Sequence, residues 1–179
     1  GMGDAGFDAR STREDRRTIE PGPMEDIENM ELLKDLLWED LENDLNFQSN
    51  KYVEILSINE EVIFEPGSVQ LTERGRRVLD RMLPILFRLQ YPILLAGHTA
   101  TDRDEVREVF DLRLGDKGLD PSWKLSLGRV LAIYKHFLER GLDPELLRLE
   151  AFGKFRPMYS DITPWGRKMN RRVDIVLDK

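Results

Sequence analysis

The sequence predicts an α/β domain, an α+β sandwich whose mixed sheet carries helices on one face, preceded by an amphipathic helix. Three observations predict it. Short apolar runs such as "YPILLAGH" alternate with two long helical patterns, and "RRVDIVL" near the C-terminus has the period of two expected of a half-buried strand. Before them, "PGPMEDIENMELLKDLLWEDLENDLNF" repeats apolar residues at spacings of three and four.

Residues 1–23 are polar, punctuated by Gly and Pro and poor in large apolar residues, so a disordered leader is expected. Residues 24–48 read as one amphipathic linker helix. Pro21 and Pro23 mark its start, and Glu25, Asp26 and Glu28 complement the positive end of its dipole. Its stripe runs through Ile27, Met30, Leu33, Leu37 and Leu41, widened by Leu36 and Leu45. Such a stripe suits docking on the same domain or pairing with a second helix. The domain proper is expected over 51–179.

"KYVEILSI" and "EVIF" read as short strands, with a turn at Asn59-Glu60-Glu61 between them. Thr72 can cap a helix facing inward through Val78, Leu79, Met82, Leu83, Leu86 and Leu89, and Pro84 should kink or restart it. The near-continuous apolar run "YPILLAGH" suits a strand buried on both faces. Thr101 to Asp120 reads as a long loop, and Ser122 as the cap of a helix reaching about Arg140 and closed by Gly141. On that helix Trp123, Leu127, Val130, Tyr134, Phe137 and Leu138 form the expected core stripe. Arg129 then projects about 130° away, near the line of Ser122, Leu125 and His136. "LLRLEAFG" is the next strand, and a loop holding Pro157 and Pro164 leads to the last.

Composition narrows the chemistry. The net charge is −7, yet residues 1–50 hold 14 acids and 5 bases, which leaves the remainder at +2. An acidic leader on a near-neutral domain argues against nucleic acid. No apolar run is long enough to cross a bilayer. With no cysteine, disulfides and thiolate chemistry are excluded. His98 and His136 are the only histidines and form no H-E-x-x-H pair, so no metal site is expected. Ser126 sits in no G-x-S-x-G elbow, and no phosphate-cradling glycine loop follows a strand. Neither an enzyme nor a cofactor is expected.

A binding site is better supported. Arg129 is either a solvated helix arginine or a fixed guanidinium that clamps a carboxylate with its planar fork. Arg167, Lys168, Arg171 and Arg172 around Asn170 form a basic cluster that suits a network tying loop to sheet.

Taken together, "FEPGSVQLT", "GHT", "WKLSLGRV", "LRLEAFGKFRP" and "TPWGRKMNRRVDIVL" occur in the order of the OmpA-like peptidoglycan-binding domain. Over 51–179 the chain resembles that family, above all its version at the C-terminus of the flagellar stator protein MotB. The resemblance implies a β-α-β-α-β fold that binds the diaminopimelate-type stem peptide of peptidoglycan without catalysis. It also implies a periplasmic homodimer beside a MotA-like channel partner, tethered to the inner membrane by a preceding helix. The opening Gly1-Met2 reads as the join of an excised fragment; if Met2 is instead the natural start, a cytoplasmic location follows.

The family pairs an aspartate directly after GHT with the arginine of L-S-x-x-R. Here Arg129 fills the second role and Ala100 stands in the first, with Asp102 two places on as an alternative acid. The implied ligand site comprises Arg129, Thr99, Ala100, Asp102, Gly67, Ser122 and Leu125, supported by Arg167, Asn170, Arg171 and Arg172. The alternative is a dimerisation or interaction scaffold that has lost its ligand.

Overall fold

A computed structural model describes residues 29–100 and 120–179. Its sheet is built from β1 (Leu45–Ser49), β2 (Val53–Asn59), β3 (Ile93–His98), β4 (Leu147–Gly153) and β5 (Arg172–Asp178). The spatial order is β1-β2-β5-β3-β4. β5 lies antiparallel to both β2 and β3, whereas β3 and β4 run parallel. Parallel neighbours need a crossover, and α4 (Pro121–Glu139) supplies it. α3 (Glu73–Leu86) links β2 to β3, and α1 (Glu31–Leu41) precedes the sheet. The expected mixed sheet is therefore present, enlarged by β1.

One face of the sheet carries the core. Leu56, Ile58, Ile93, Leu95, Val173, Ile175 and Leu177 pack there against Leu79, Met82 and Leu86 of α3 and Val130, Ile133 and Phe137 of α4. Met30, Leu33, Leu37 and Leu41 complete this core, so these members of the N-terminal stripe are used within the chain, while Ile27 lies outside the described residues. Burying each of these side chains is worth about 1.5–3 kcal/mol. The helix start is held from a distance. Met30 N donates to Glu54 Oε1 of β2 at 2.6 Å, satisfying one orphan donor of the first turn. The other oxygen of Glu54 pairs with Lys179 at 3.0 Å.

Several local expectations give way. The single helix over 24–48 is corrected: α1 ends at Leu41, a short 3-10 turn follows, and Leu45–Ser49 is strand β1. Leu45 and Phe47 alternate with Asn46 and Gln48, a pattern that fits either element until β2 offers an open edge. The register Leu45↔Ile58 through Ser49↔Glu54 fills that edge. "EVIF" is no strand: Glu60–Ile63 forms a single helical turn, α2, capped by Asn59, whose side chain accepts from Glu61 N. Phe64 keeps one isolated bridge to Leu71. Thr72 caps α3 as expected, accepting from Gly75 N at 2.8 Å. Pro84 lies in the last turn of α3, which ends two residues later. The cap of α4 is Asp120 and not Ser122, with Pro121 opening the helix. Gly141, at φ 94°, closes it as expected.

The face of α4 is also corrected. Its buried residues include Ser122, Leu125, Ser126, Arg129, Val130, Ile133, His136 and Phe137. The true inward arc is thus turned by about 100°, one residue, from the apolar stripe. The cause is close backbone approach. A Cβ on Gly97 would lie 2.7 Å from the Ser126 carbonyl oxygen, and one on Gly153 would lie 2.7 Å from Ser122 Oγ. Only the small-residue arc of the helix can sit that near the sheet, and it brings Arg129 inward with it.

Candidate functional site

The C-terminal ends of β3 and β4 meet the first half of α4. Thr99 N donates to Gly153 O at 3.0 Å, and Thr99 Oγ1 donates to Ala100 O at 3.1 Å. Ser126 Oγ accepts from Gly153 N, and Ser122 Oγ accepts from Lys154 N while donating to Asp120. Burial raises the pKa of Asp120, but hydrogen bonds from Ser122 and Trp123 and the nearby charge of Lys154 outweigh it, leaving the carboxyl below its ordinary value. Thr99, Ala100, Ser122 and Leu125 are all buried at this junction. The side chain of Ser122 is engaged in tying helix to strand.

Arg129 is 1 % exposed and fixed from three sides. Its Nε donates to Ser68 O at 3.0 Å, its Nη2 lies 3.2 Å from Glu60 Oε2, and its guanidinium carbon lies 5.5 Å from the Phe64 ring centroid. The hydrogen bond to Ser68 anchors the 65–71 loop, in which Gly67 takes the left-handed conformation with φ 66°. Glu60, itself buried, has its other oxygen 3.9 Å from Arg171 Nε. One carboxylate, on the α2 turn that precedes the "FEPG" segment, therefore joins the L-S-x-x-R arginine to the N-R-R arginine.

The basic cluster divides between two faces, because neighbouring strand residues point to opposite sides. Arg171 faces Glu60 and also pairs with Glu61 at 3.6 Å. Arg172 lies on the other face, where its Nε donates to Asp174 at 3.1 Å. Asn170 is buried with its amide in use: it accepts from Met158 N and Tyr159 N and donates to Tyr159 O and Asp161. Arg167 donates to the carbonyls of Asp161 and Ile162. Asn170 and Arg167 thus hold the 154–163 loop against the sheet.

The second face of β5 is buried in its first half, at Arg172 and Asp174, and opens only at Val176 and Asp178, so the half-buried strand expected holds toward its C-terminal end alone. Asp174 is buried there and accepts from Ser57 Oγ at 2.6 Å, with His98 Nε2 at 3.4 Å. Burial raises the Asp174 pKa, but the His98 hydrogen bond, the Arg172 and His98 charges and the Ser57 hydroxyl more than offset it. The carboxyl ends below its ordinary value. His98 stacks on Phe152 at 5.1 Å. Serine, histidine and aspartate meet here, but the hydroxyl donates to the aspartate and not to the imidazole, so it is not activated as a nucleophile.

Asp102 lies outside the described residues. Among the described residues no group of three His, Cys, Asp or Glu could hold a metal ion, and no helix is long and apolar enough to cross a membrane. The residues that sequence reading missed are Glu60, Glu54, Asp174 and Ser57. Asn59-Glu60-Glu61 reads locally as an exposed turn; nothing in that stretch shows that two arginines over 65 positions away close on it.

Residues 63–171 match the OmpA family, and the chain belongs to it. Outer membrane protein A of Bordetella avium is 25% identical over 119 residues, 65% of this chain and 54% of that protein. The chain thus spans about half the length of this curated relative. Among solved structures, a putative MotB-like protein from Desulfovibrio vulgaris superposes with TM-score 0.65 at 23% identity, covering 81% of this chain and 85% of that one. The cell wall anchor of the type VI secretion system from Pseudomonas aeruginosa gives 0.66 at 22%, covering 82% and 96%. The periplasmic domain of Helicobacter pylori MotB gives 0.62 at 19%, covering 79% and 82%. These likenesses establish the fold.

Proposed function

We propose that this chain is a noncatalytic, periplasmic cell-wall anchoring domain that binds the stem peptide of peptidoglycan. The observation that carries the reading is Arg129. In a member of the OmpA family, the L-S-x-x-R arginine has its guanidinium fixed by Ser68, Glu60 and Phe64. A fixed planar fork is a carboxylate receptor, and diaminopimelate carries such a group. The family resemblance adds Thr99, Ala100, Gly67, Ser122 and Leu125 to the proposed site, with Asp102 the nearest acid downstream in the chain. The likeness to MotB domains extends the proposal to a homodimer, tethered to the inner membrane beside a MotA-like channel partner.

Co-sedimentation with purified sacculi, with calorimetric titration of a soluble diaminopimelate-containing stem peptide, tests the core of this reading. Retention on sacculi and saturable peptide binding are expected. A chain that stays in the supernatant and takes up no peptide refutes it.

A second reading has its own observation. Ala100 is buried and brings no carboxylate to meet a ligand ammonium, which favours a scaffold that keeps the fold without the ligand. A stable dimer without sacculus binding would identify that case.

A further inference from the structure

Glu60 is a buried acid that the binding reading uses only to hold Arg129, with no role toward the ligand. Its backbone is held at both ends: Glu60 N donates to Arg171 O at 2.9 Å, and Glu60 O accepts from Phe64 N at 2.9 Å. Its carboxylate therefore sits between Arg129 at 3.2 Å and Arg171 at 3.9 Å because the β2–α2 junction places it there. A guanidinium grips a carboxylate best through two parallel N–H groups on one edge. On Arg129 the Nε/Nη2 edge already faces Ser68 O and Glu60 Oε2.

We infer that Glu60 determines the ligand specificity of this site: it is an internal carboxylate that an incoming ligand carboxylate must displace from Arg129, with Arg171 as the cation that receives it. The inference rests on the stem-peptide reading. Stripping a buried carboxylate of its only counter-charge would cost more than a ligand contact returns. Arg171 removes that obstacle, since Glu60 moves from one arginine toward the other and stays paired. The site then favours ligands whose carboxylate outcompetes a tethered glutamate, and it discriminates against weak or singly hydrogen-bonded anions.

The test is calorimetric titration of the soluble diaminopimelate-containing stem peptide into wild type, Glu60→Gln, Arg171→Gln and the double variant, with the fold of each checked by circular dichroism. Glu60→Gln removes the competitor and is expected to bind about tenfold more tightly or better. Arg171→Gln removes the receiving cation and should bind correspondingly more weakly, while the double variant should match Glu60→Gln. A purely structural ion pair would not produce opposite signs in the two single variants. Binding by Glu60→Gln where wild type shows none also supports the inference. Equal affinity of wild type and Glu60→Gln overturns it and leaves the wall-binding reading standing. No binding by either overturns both. If Glu60→Gln fails to fold, Arg171→Gln decides: weaker binding at an unchanged melting temperature supports the inference, and unchanged affinity overturns it.

Discussion

Replacing Arg129 by alanine tests whether this arginine is a surface clamp or part of the folded core. Read from the apolar stripe of its helix, Arg129→Ala should weaken ligand binding and leave stability alone. The structure gives the opposite expectation for stability, because Arg129 is 1 % exposed and Glu60 is 3 % exposed. Removing one member of a buried ion pair typically costs about 3–5 kcal/mol, since the remaining charge loses its nearest counter-charge in a low-dielectric setting. The hydrogen bond to Ser68 O adds roughly 1 kcal/mol to that loss. Arg171, 3.9 Å from the other oxygen of Glu60, recovers part of it. A net loss of about 3 kcal/mol lowers the melting temperature of a domain this size by roughly 6–12 °C. Thermal unfolding followed by circular dichroism, with urea titration for the free energy, measures it. The double variant Glu60→Gln, Arg129→Ala should be more stable than Arg129→Ala alone, because no buried carboxylate that has lost its nearer arginine remains. A single variant that melts within about 2 °C of wild type would refute the reasoning. So would a double variant in which the two losses simply add.

Three further outcomes follow from the same structure. Ala100 is buried, so Ala100→Asp places a carboxylate in the junction and should cost about 2 kcal/mol or more, visible as a lower urea midpoint; an unchanged midpoint would show that the acid reaches a cation or solvent there. Deleting residues 1–48 removes α1 and most of β1 and takes Met30, Leu33, Leu37 and Leu41 from the core. At about 1.5–3 kcal/mol each, this approaches the whole stability of a domain, and the truncated chain should show no cooperative melt. Retained cooperative unfolding would contradict it. Acid should destabilise the fold in a defined window. The carboxyls of Asp80, Asp120 and Asp174 have pKa values below the usual 3.8. For Asp80, burial raises the pKa but is outweighed by hydrogen bonds from His136 and Arg140. Groups lowered on folding contribute stability above the unfolded value, and it is lost as pH falls through the folded values. The contribution of these three groups to the melting temperature should therefore be constant from neutral pH down to about 5 and decline below about 4. Asp80→Asn should make that decline shallower, and an unaltered decline would argue against the assignment.

What the sequence determined by itself was the family and the order of parts. Five collinear segments marked an OmpA-like domain, and alternating strand and helix patterns predicted the sheet that carries helices on one face. The inward residues of α3 were legible too, since Val78, Leu79, Met82, Leu83 and Leu86 lie on one helical arc and all are buried; Leu89, expected on the same arc, is buried just beyond the helix end. Periodicity reports which residues favour burial, and it succeeds where one arc is clearly apolar. It cannot report which arc a sheet approaches most closely. On α4 that was decided by Gly97 and Gly153, whose missing side chains let the backbone meet Ser122 and Ser126 and turned Arg129 into the core. Likewise Leu45–Ser49 became a strand only because β2 had an edge to fill, a fact about a segment several residues downstream. Glu60 is the clearest case. Nothing local distinguishes it from Glu61, yet one is 3 % exposed between two arginines and the other faces outward with a half-exposed side chain. Whether a charge is solvated or buried and paired depends on which distant chain segments close over it, and that is settled by the tertiary fold.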